Sequence, residues 1–113
     1  MTNQEEMIKL LHELTQGTLK WYIAKGESPS MPEAYQTDYN GIRITLRKGP
    51  IYMFRGRLYW VQVDETTIYE SFDLLRLWEA VQRAAKERAK ADGAAFVAEE
   101  TARVVQALRG AKQ

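Results

Sequence analysis

The chain of 113 residues carries 16 basic and 15 acidic side chains, a formal net charge of +1, and 45% of its residues are hydrophobic. This size and balance predict a single globular domain spanning residues 1–113, exclude a disordered polyelectrolyte, and give no overall electrostatic reason to expect nucleic acid. With no cysteine, the chain has neither disulfides nor thiolate metal ligands.

The N-terminus does not have the pattern of a secretion signal. Glu5 and Glu6 stand where a signal peptide would be basic, and no unbroken apolar run follows them. The longest apolar stretches fall far short of the roughly 20 residues that cross a bilayer. We therefore expect a soluble, cytoplasmic protein with no membrane partner.

A helix is predicted within residues 1–16. Thr2 followed by Glu5 fits a capping box, in which each side chain satisfies a free backbone N–H at the helix start. An apolar stripe at helical spacing follows, formed by Met7, Leu10, Leu11 and Leu14.

A β-meander of four to six short antiparallel strands is predicted over residues 18–72. Leu19, Trp21 and Ile23 alternate with other side chains, as in a strand with one buried face. Residues 25–34 contain glycine, prolines and serines, and are expected to form a mobile surface loop. Asn40-Gly41 predicts a hairpin turn, and Gly49-Pro50 is expected to break the strand that follows.

The C-terminal region, residues 73–109, is predicted to be helical. Leu74, Leu77, Trp78, Val81 and Ala85 share one helical face. Asp92-Gly93 interrupts the pattern, and since an internal glycine costs about 1 kcal/mol, one bent helix and two helices are close alternatives. We favour two helices, packed on one face of the sheet, which makes the fold class α+β.

No catalytic or metal-binding motif stands out. His12 is the only histidine and has no second ligand at suitable spacing on its helix, whereas a metal site needs three or four ligands. The sequence contains no nucleophile elbow and no glycine-rich phosphate loop. We expect a non-enzymatic protein with no cofactor and no metal.

The central strands combine aromatic and basic side chains. From Gly41 to Val63 there are five basic residues and no acid. Alternation places Arg43 and Arg47 on one face and Ile42, Ile44 and Leu46 on the other, which we expect to receive the helices. The candidate partner-binding residues are Arg43, Arg47, Lys48, Tyr52, Arg55, Arg57 and Tyr59.

Several interpretations of this face are compatible with the sequence. The simplest is that these are ordinary half-buried and solvated side chains, and this interpretation has the most weight. The favoured function is a small regulatory or inhibitory module that binds a protein partner through this face, and the alternative is a nucleic-acid-binding face. A third function is a ligand or substrate pocket between sheet and helices, walled by Trp21, Trp60 or Trp78. The alanine-rich C-terminal helices also suggest a homodimer.

Overall fold

An N-terminal helix, five antiparallel strands and one long C-terminal helix follow one another along the chain, which confirms the α+β class. The computed structural model describes residues 2–28 and 31–112. The elements are α1 (Asn3–Leu14), β1 (Tyr22–Ser28), β2 (Met31–Tyr39), β3 (Ile42–Tyr52), β4 (Gly56–Val63), β5 (Thr66–Ser71) and α2 (Leu75–Lys112).

The strands form one sheet in the order β1-β2-β3-β4-β5, so each strand pairs with its neighbour in sequence. Asn40 and Gly41 join β2 to β3 with φ angles of 51° and 77°, the positive values that the Asn-Gly signal predicts. Asp64 and Glu65 join β4 to β5 in the same way, with φ angles of 48° and 79°. The sheet is therefore the predicted meander, closed by tight turns.

The prediction of a loop over residues 25–34 is wrong for the part that the structure describes. β1 runs on to Ser28 and β2 starts at Met31, and these two residues pair. A register shift between Lys25 and Ser28 admits the irregular residues, because a bulge takes up extra chain without ending the ladder. Residues 29 and 30 lie outside the described residues.

Gly49-Pro50 likewise does not end its strand. β3 continues to Tyr52, with a register shift against β4 between Lys48 and Ile51. Pairing resumes with Ile51 opposite Arg57, so the two strands extend as a hairpin beyond the irregularity.

Both helices pack on one face of the sheet, and Trp78 of α2 lies at the centre of the core. Its ring centroid is 4.8 Å from that of Tyr35 and 5.7 Å from that of Tyr59. At the end of α1, Thr15 accepts a hydrogen bond of 3.0 Å from the indole N–H of Trp21. The other buried apolar residues of this cluster are Leu11, Leu19, Leu46, Val61, Leu74, Leu77, Val81 and Ala85.

The C-terminal region is one helix, so the prediction of two helices is wrong. Gly93 lies within α2, and the roughly 1 kcal/mol that glycine costs is less than the loss of the backbone hydrogen bonds that a turn would break. At 1.5 Å per residue the helix is about 57 Å long, and the described chain measures 67 × 30 × 22 Å. Neither described helix has an apolar stretch long enough to cross a membrane.

Candidate binding surface

The sheet has a second face, turned away from the helices. Its residues are identified by register: Arg47 pairs with Ala34 on one side and Trp60 on the other, and Trp60 pairs with Glu70. Because side chains alternate along a strand, this row points opposite to the neighbouring core residue Leu46. We call it the open face.

Arg43 and Arg47 lie on the open face, and both are engaged within the sheet. The Nε of Arg43 donates to Asp38 Oδ1 at 3.2 Å, in an exposed ion pair between β2 and β3. The Nε of Arg47 donates to Gln62 Oε1 at 2.8 Å, and Gln62 in turn donates to Thr67. The first contact joins β2 to β3, and the second group of contacts joins β3 to β4 and β5.

The apolar residues of β3 that were expected to face the helices are buried to different extents. Leu46 is buried, and Ile44 packs against the core from a half-buried position, as alternation predicts. Ile42, expected to be covered by the helices, is instead about half exposed. It lines an apolar groove between α1 and the β2–β3 hairpin, together with Tyr39 and Leu10.

Lys48 and Tyr59 do not lie with Arg47, and their assignment to the same exposed surface is wrong. Tyr59 is buried against Trp78, and burial raises the pKa of its phenol. Lys48 is paired opposite Tyr59, with its Nζ 5.1 Å from the centroid of the Trp78 ring. Adjacent residues of a strand point to opposite faces, so the side chain of Lys48 lies on the same face of the sheet as the core residues, opposite to that of Arg47.

Tyr52, Arg55 and Arg57 are brought together at the β3–β4 hairpin. Phe72 supports them: its ring meets Tyr52 edge to face at 5.7 Å, and the guanidinium of Arg55 lies 5.9 Å from its centroid. Across the hairpin, Arg57 Nη1 donates to the carbonyl oxygen of Gly49 at 2.8 Å. Side chains on both strands thus fix the base of the hairpin.

The tip of this hairpin is apolar and lies in water. Ile51, Met53 and Phe54 are 69%, 80% and 100% exposed. The sequence predicted only that they lie within the β-meander and did not identify them as an exposed tip. The available signal was an apolar run entering Arg55-Gly56, since turns are ordinarily polar. We call Ile51, Tyr52, Met53, Phe54, Arg55, Gly56 and Arg57 the hairpin tip.

The backbone of Phe54 is strained. Its φ is 63°, in the left-handed region that bulky residues rarely occupy. Gly56, two residues later, has a φ of 84° at no steric cost. Strain of this kind is concentrated at sites where function requires a particular side chain.

Of the three tryptophans offered as a possible pocket wall, Trp21 is the one that lines a cleft. Trp21 and Trp78 are buried in the core, whereas Trp60 lies on the open face. An open cleft of about 620 Å³ lies beside Trp21, between the end of α1 and α2. In this cleft Arg88 Nη2 donates to Tyr22 Oη at 3.0 Å, whereas its buried Nε lies 3.8 Å from Asp92 Oδ2 and makes no hydrogen bond among the described residues.

Tyr35 is the most strongly perturbed acid described. Burial raises its pKa to about 12, and its hydroxyl donates to Glu33 Oε2 at 3.1 Å. The same carboxylate oxygen accepts from Gln82 of α2 at 3.2 Å. The phenol is therefore neutral at physiological pH and links sheet to helix.

His12 lies half-buried on α1, in a shallow cleft with Glu5, Lys9 and Asp73. Over residues 2–28 and 31–112, the structure contains no group of three or more histidine or acidic side chains able to hold a metal ion.

Comparison with known proteins gives no match to a family model, to a curated protein or to a solved structure.

Proposed function

We propose that this chain is a non-enzymatic interaction module with a regulatory or inhibitory role, which binds a protein partner through the hairpin tip. The observation that carries the proposal is the exposure of Met53 and Phe54 at the end of a defined hairpin. Removing exposed apolar side chains from water favours binding. Aromatic residues at the centre of an interface often contribute most of its affinity.

The geometry of the hairpin supports this role. Phe72 holds Tyr52 and Arg55, and Arg57 bonds across the two strands, so the tip has a fixed direction before it meets a partner. A pre-ordered anchor spends little conformational entropy on binding. The strained backbone of Phe54 is consistent with selection of its side chain for contact, because glycine would fit that backbone better.

Charge indicates the chemistry of the partner. Arg55 and Arg57 flank the apolar tip, and no acidic residue occurs between Gly41 and Val63. A complementary surface has an apolar pocket with acidic residues at its rim. Arg43 lies on the open face beside Asp38, where the ion pair already offsets its charge, so we assign it a secondary role.

The test uses two variants with the same kind of substitution. Phe54→Gly removes the ring and fits the positive φ, so the protein keeps its fold while losing the anchor. Asn40→Gly makes the matched change at the positive-φ turn between β2 and β3, far along the chain from the tip. Immobilised wild-type and variant chains are exposed to an extract of the cells that produce the protein, and retained proteins are quantified by mass spectrometry.

We expect one partner to be retained equally by the wild type and Asn40→Gly, and at least about tenfold less by Phe54→Gly and by Arg55→Glu with Arg57→Glu. Retention that is the same for Phe54→Gly as for Asn40→Gly would overturn the proposal. So would retention of duplex or single-stranded oligonucleotides that weakens steeply with salt, since nucleic acid is the alternative partner. Cosedimentation with anionic lipid vesicles through Phe54 would also contradict it.

A further inference from the structure

The second half of α2 extends from the body without a partner. From Ala89 to Lys112 every described side chain is exposed except Glu100, which is half-buried. Most helical stability in proteins comes from packing of an apolar face. The segment from Ala89 to Lys112, here called the distal helix, lacks that packing within the chain.

The distal helix carries an apolar stripe of its own. Val97, Thr101, Val104 and Leu108 follow the alternating four-and-three spacing of a coiled-coil seam. Phe96 and Val105 flank this stripe. The exposed fractions of Val97, Val104 and Leu108 are 62%, 55% and 64%, and the stripe is therefore open to solvent.

The body of the same chain does not cover this stripe. At about 100° per residue, the stripe lies roughly on the opposite side of α2 from Val81 and Ala85, which face the core. Straight continuation of the helix therefore turns the stripe away from the sheet. An occupant must come from another molecule unless α2 breaks at Gly93.

The distal helix has Lys90 as its first charged residue, and beyond it the charges are ordered by sign. Between Ala91 and Lys112 all three acids come first, and all three bases follow them. Two such helices aligned in parallel place acid beside acid and base beside base, whereas antiparallel helices place each acidic half beside a basic half. The acids are Asp92, Glu99 and Glu100, and the bases are Arg103, Arg109 and Lys112.

We infer that the distal helix is the interface of a homodimer in which two copies of α2 pair antiparallel through the stripe. This inference is independent of the function proposed for the hairpin tip. Together with the flanking Phe96 and Val105, the exposed side chains of the two stripes offer on the order of 1,000 Å² to be buried, about the minimum for a specific interface. A second copy supplies both the apolar stripe and the reversed charge order.

Glu100 and Arg103 lie near the centre of the pairing. Within one helix these side chains form an ion pair of 2.8 Å, in which Glu100 flanks the stripe and Arg103 lies farther around the helix. In an antiparallel pair the same flanks of the two helices face each other, so Glu100 of each copy approaches Arg103 of the other. Pairing of Val97 with Leu108, and of Thr101 with Val104, places the crossing point between Ala102 and Arg103.

The first test measures mass in solution by light scattering over about a hundredfold range of concentration. The wild type should be a dimer. Val104→Glu places a charge in the seam and should raise the dissociation constant at least about 100-fold. The matched control Ala95→Glu adds the same charge on the opposite side of the distal helix and should leave the dimer intact.

The second test determines the orientation and uses the absence of cysteine in the natural chain. Val97→Cys and Leu108→Cys are prepared separately and then mixed under mild oxidation. Antiparallel pairing brings position 97 near position 108 of the other copy, so the mixture should crosslink and each variant alone should not. Crosslinking of each variant to itself would indicate a parallel pair and overturn the orientation.

Small-angle X-ray scattering gives a third test, because it measures the maximum dimension of the particle. Antiparallel overlap over the distal helix places the two sheets at opposite ends and predicts a particle of roughly 100 Å. A monomer at every concentration, whether extended or folded back at Gly93, would overturn the proposal, as would a trimer or tetramer. Loss of the dimer in both Val104→Glu and Ala95→Glu would likewise contradict an interface at the stripe.

Discussion

The indole of Trp60 lies directly against the backbone of Gly49, so that a side chain at position 49 would overlap the ring. Both residues lie where β3 shifts register against β4, just before the strands extend into the hairpin tip. Glycine at this position is therefore a requirement of packing. Its φ is not in the positive range, so its role differs from that of the turn glycines.

Gly49→Ala is expected to destabilise the protein by about 1–3 kcal/mol, because the added methyl displaces Trp60 or bends the strand. Denaturant unfolding monitored by circular dichroism measures the change. In a Trp60→Leu background, the same substitution should cost much less, since the ring is gone. Equal costs in the two backgrounds would show that the ring is not the obstacle.

Trp78→Ala is expected to lower the free energy of unfolding by about 3–5 kcal/mol, since it opens a large cavity beneath Tyr35 and Tyr59. The matched control is Leu75→Ala on the exposed side of the same helical turn, which should cost less than about 1 kcal/mol. Thermal melts of both variants give the comparison. A small effect at Trp78 would contradict its central place in the core.

Stability should fall at alkaline pH because of Tyr35. Its folded-state pKa of about 12 lies above the unfolded value of 10.0, so its contribution is fully present below pH 10 and is lost as pH rises toward 12. The loss is on the order of 2 kcal/mol. Unfolding free energies measured from pH 8 upward test this, and Tyr35→Phe should remove much of the dependence. The raised pKa of Tyr59 adds a change of the same sign.

Gly93→Ala is expected to stabilise α2 by about 0.5–1 kcal/mol, because the added methyl meets no neighbouring atom and alanine favours the helix. Hydrogen exchange at the amides around position 93 should slow accordingly. Gly110→Ala, close to the fraying end of the same helix, is the control and should have a smaller effect. Faster exchange in Gly93→Ala would indicate a turn at this position.

The sequence alone determined the features that depend on neighbouring residues. Thr2 caps α1 by accepting from the backbone N–H of Glu5 at 3.1 Å, and Asn40-Gly41 forms the tight turn that its residue types require. Alternation along β3 assigned Leu46 and Arg47 to opposite faces. Each of these patterns reflects local backbone geometry, which a short stretch of residues specifies by itself.

Only the tertiary structure decided where irregular residues are tolerated and which apolar residues remain uncovered. β1 and β2 continue through the expected loop to Ser28 and from Met31, because pairing between the two strands offsets the local cost. Phe54 is exposed and Tyr59 is buried, although both are aromatic residues of one hairpin region. Burial depends on how far the helices reach over the sheet, and that distance is a property of the assembled molecule.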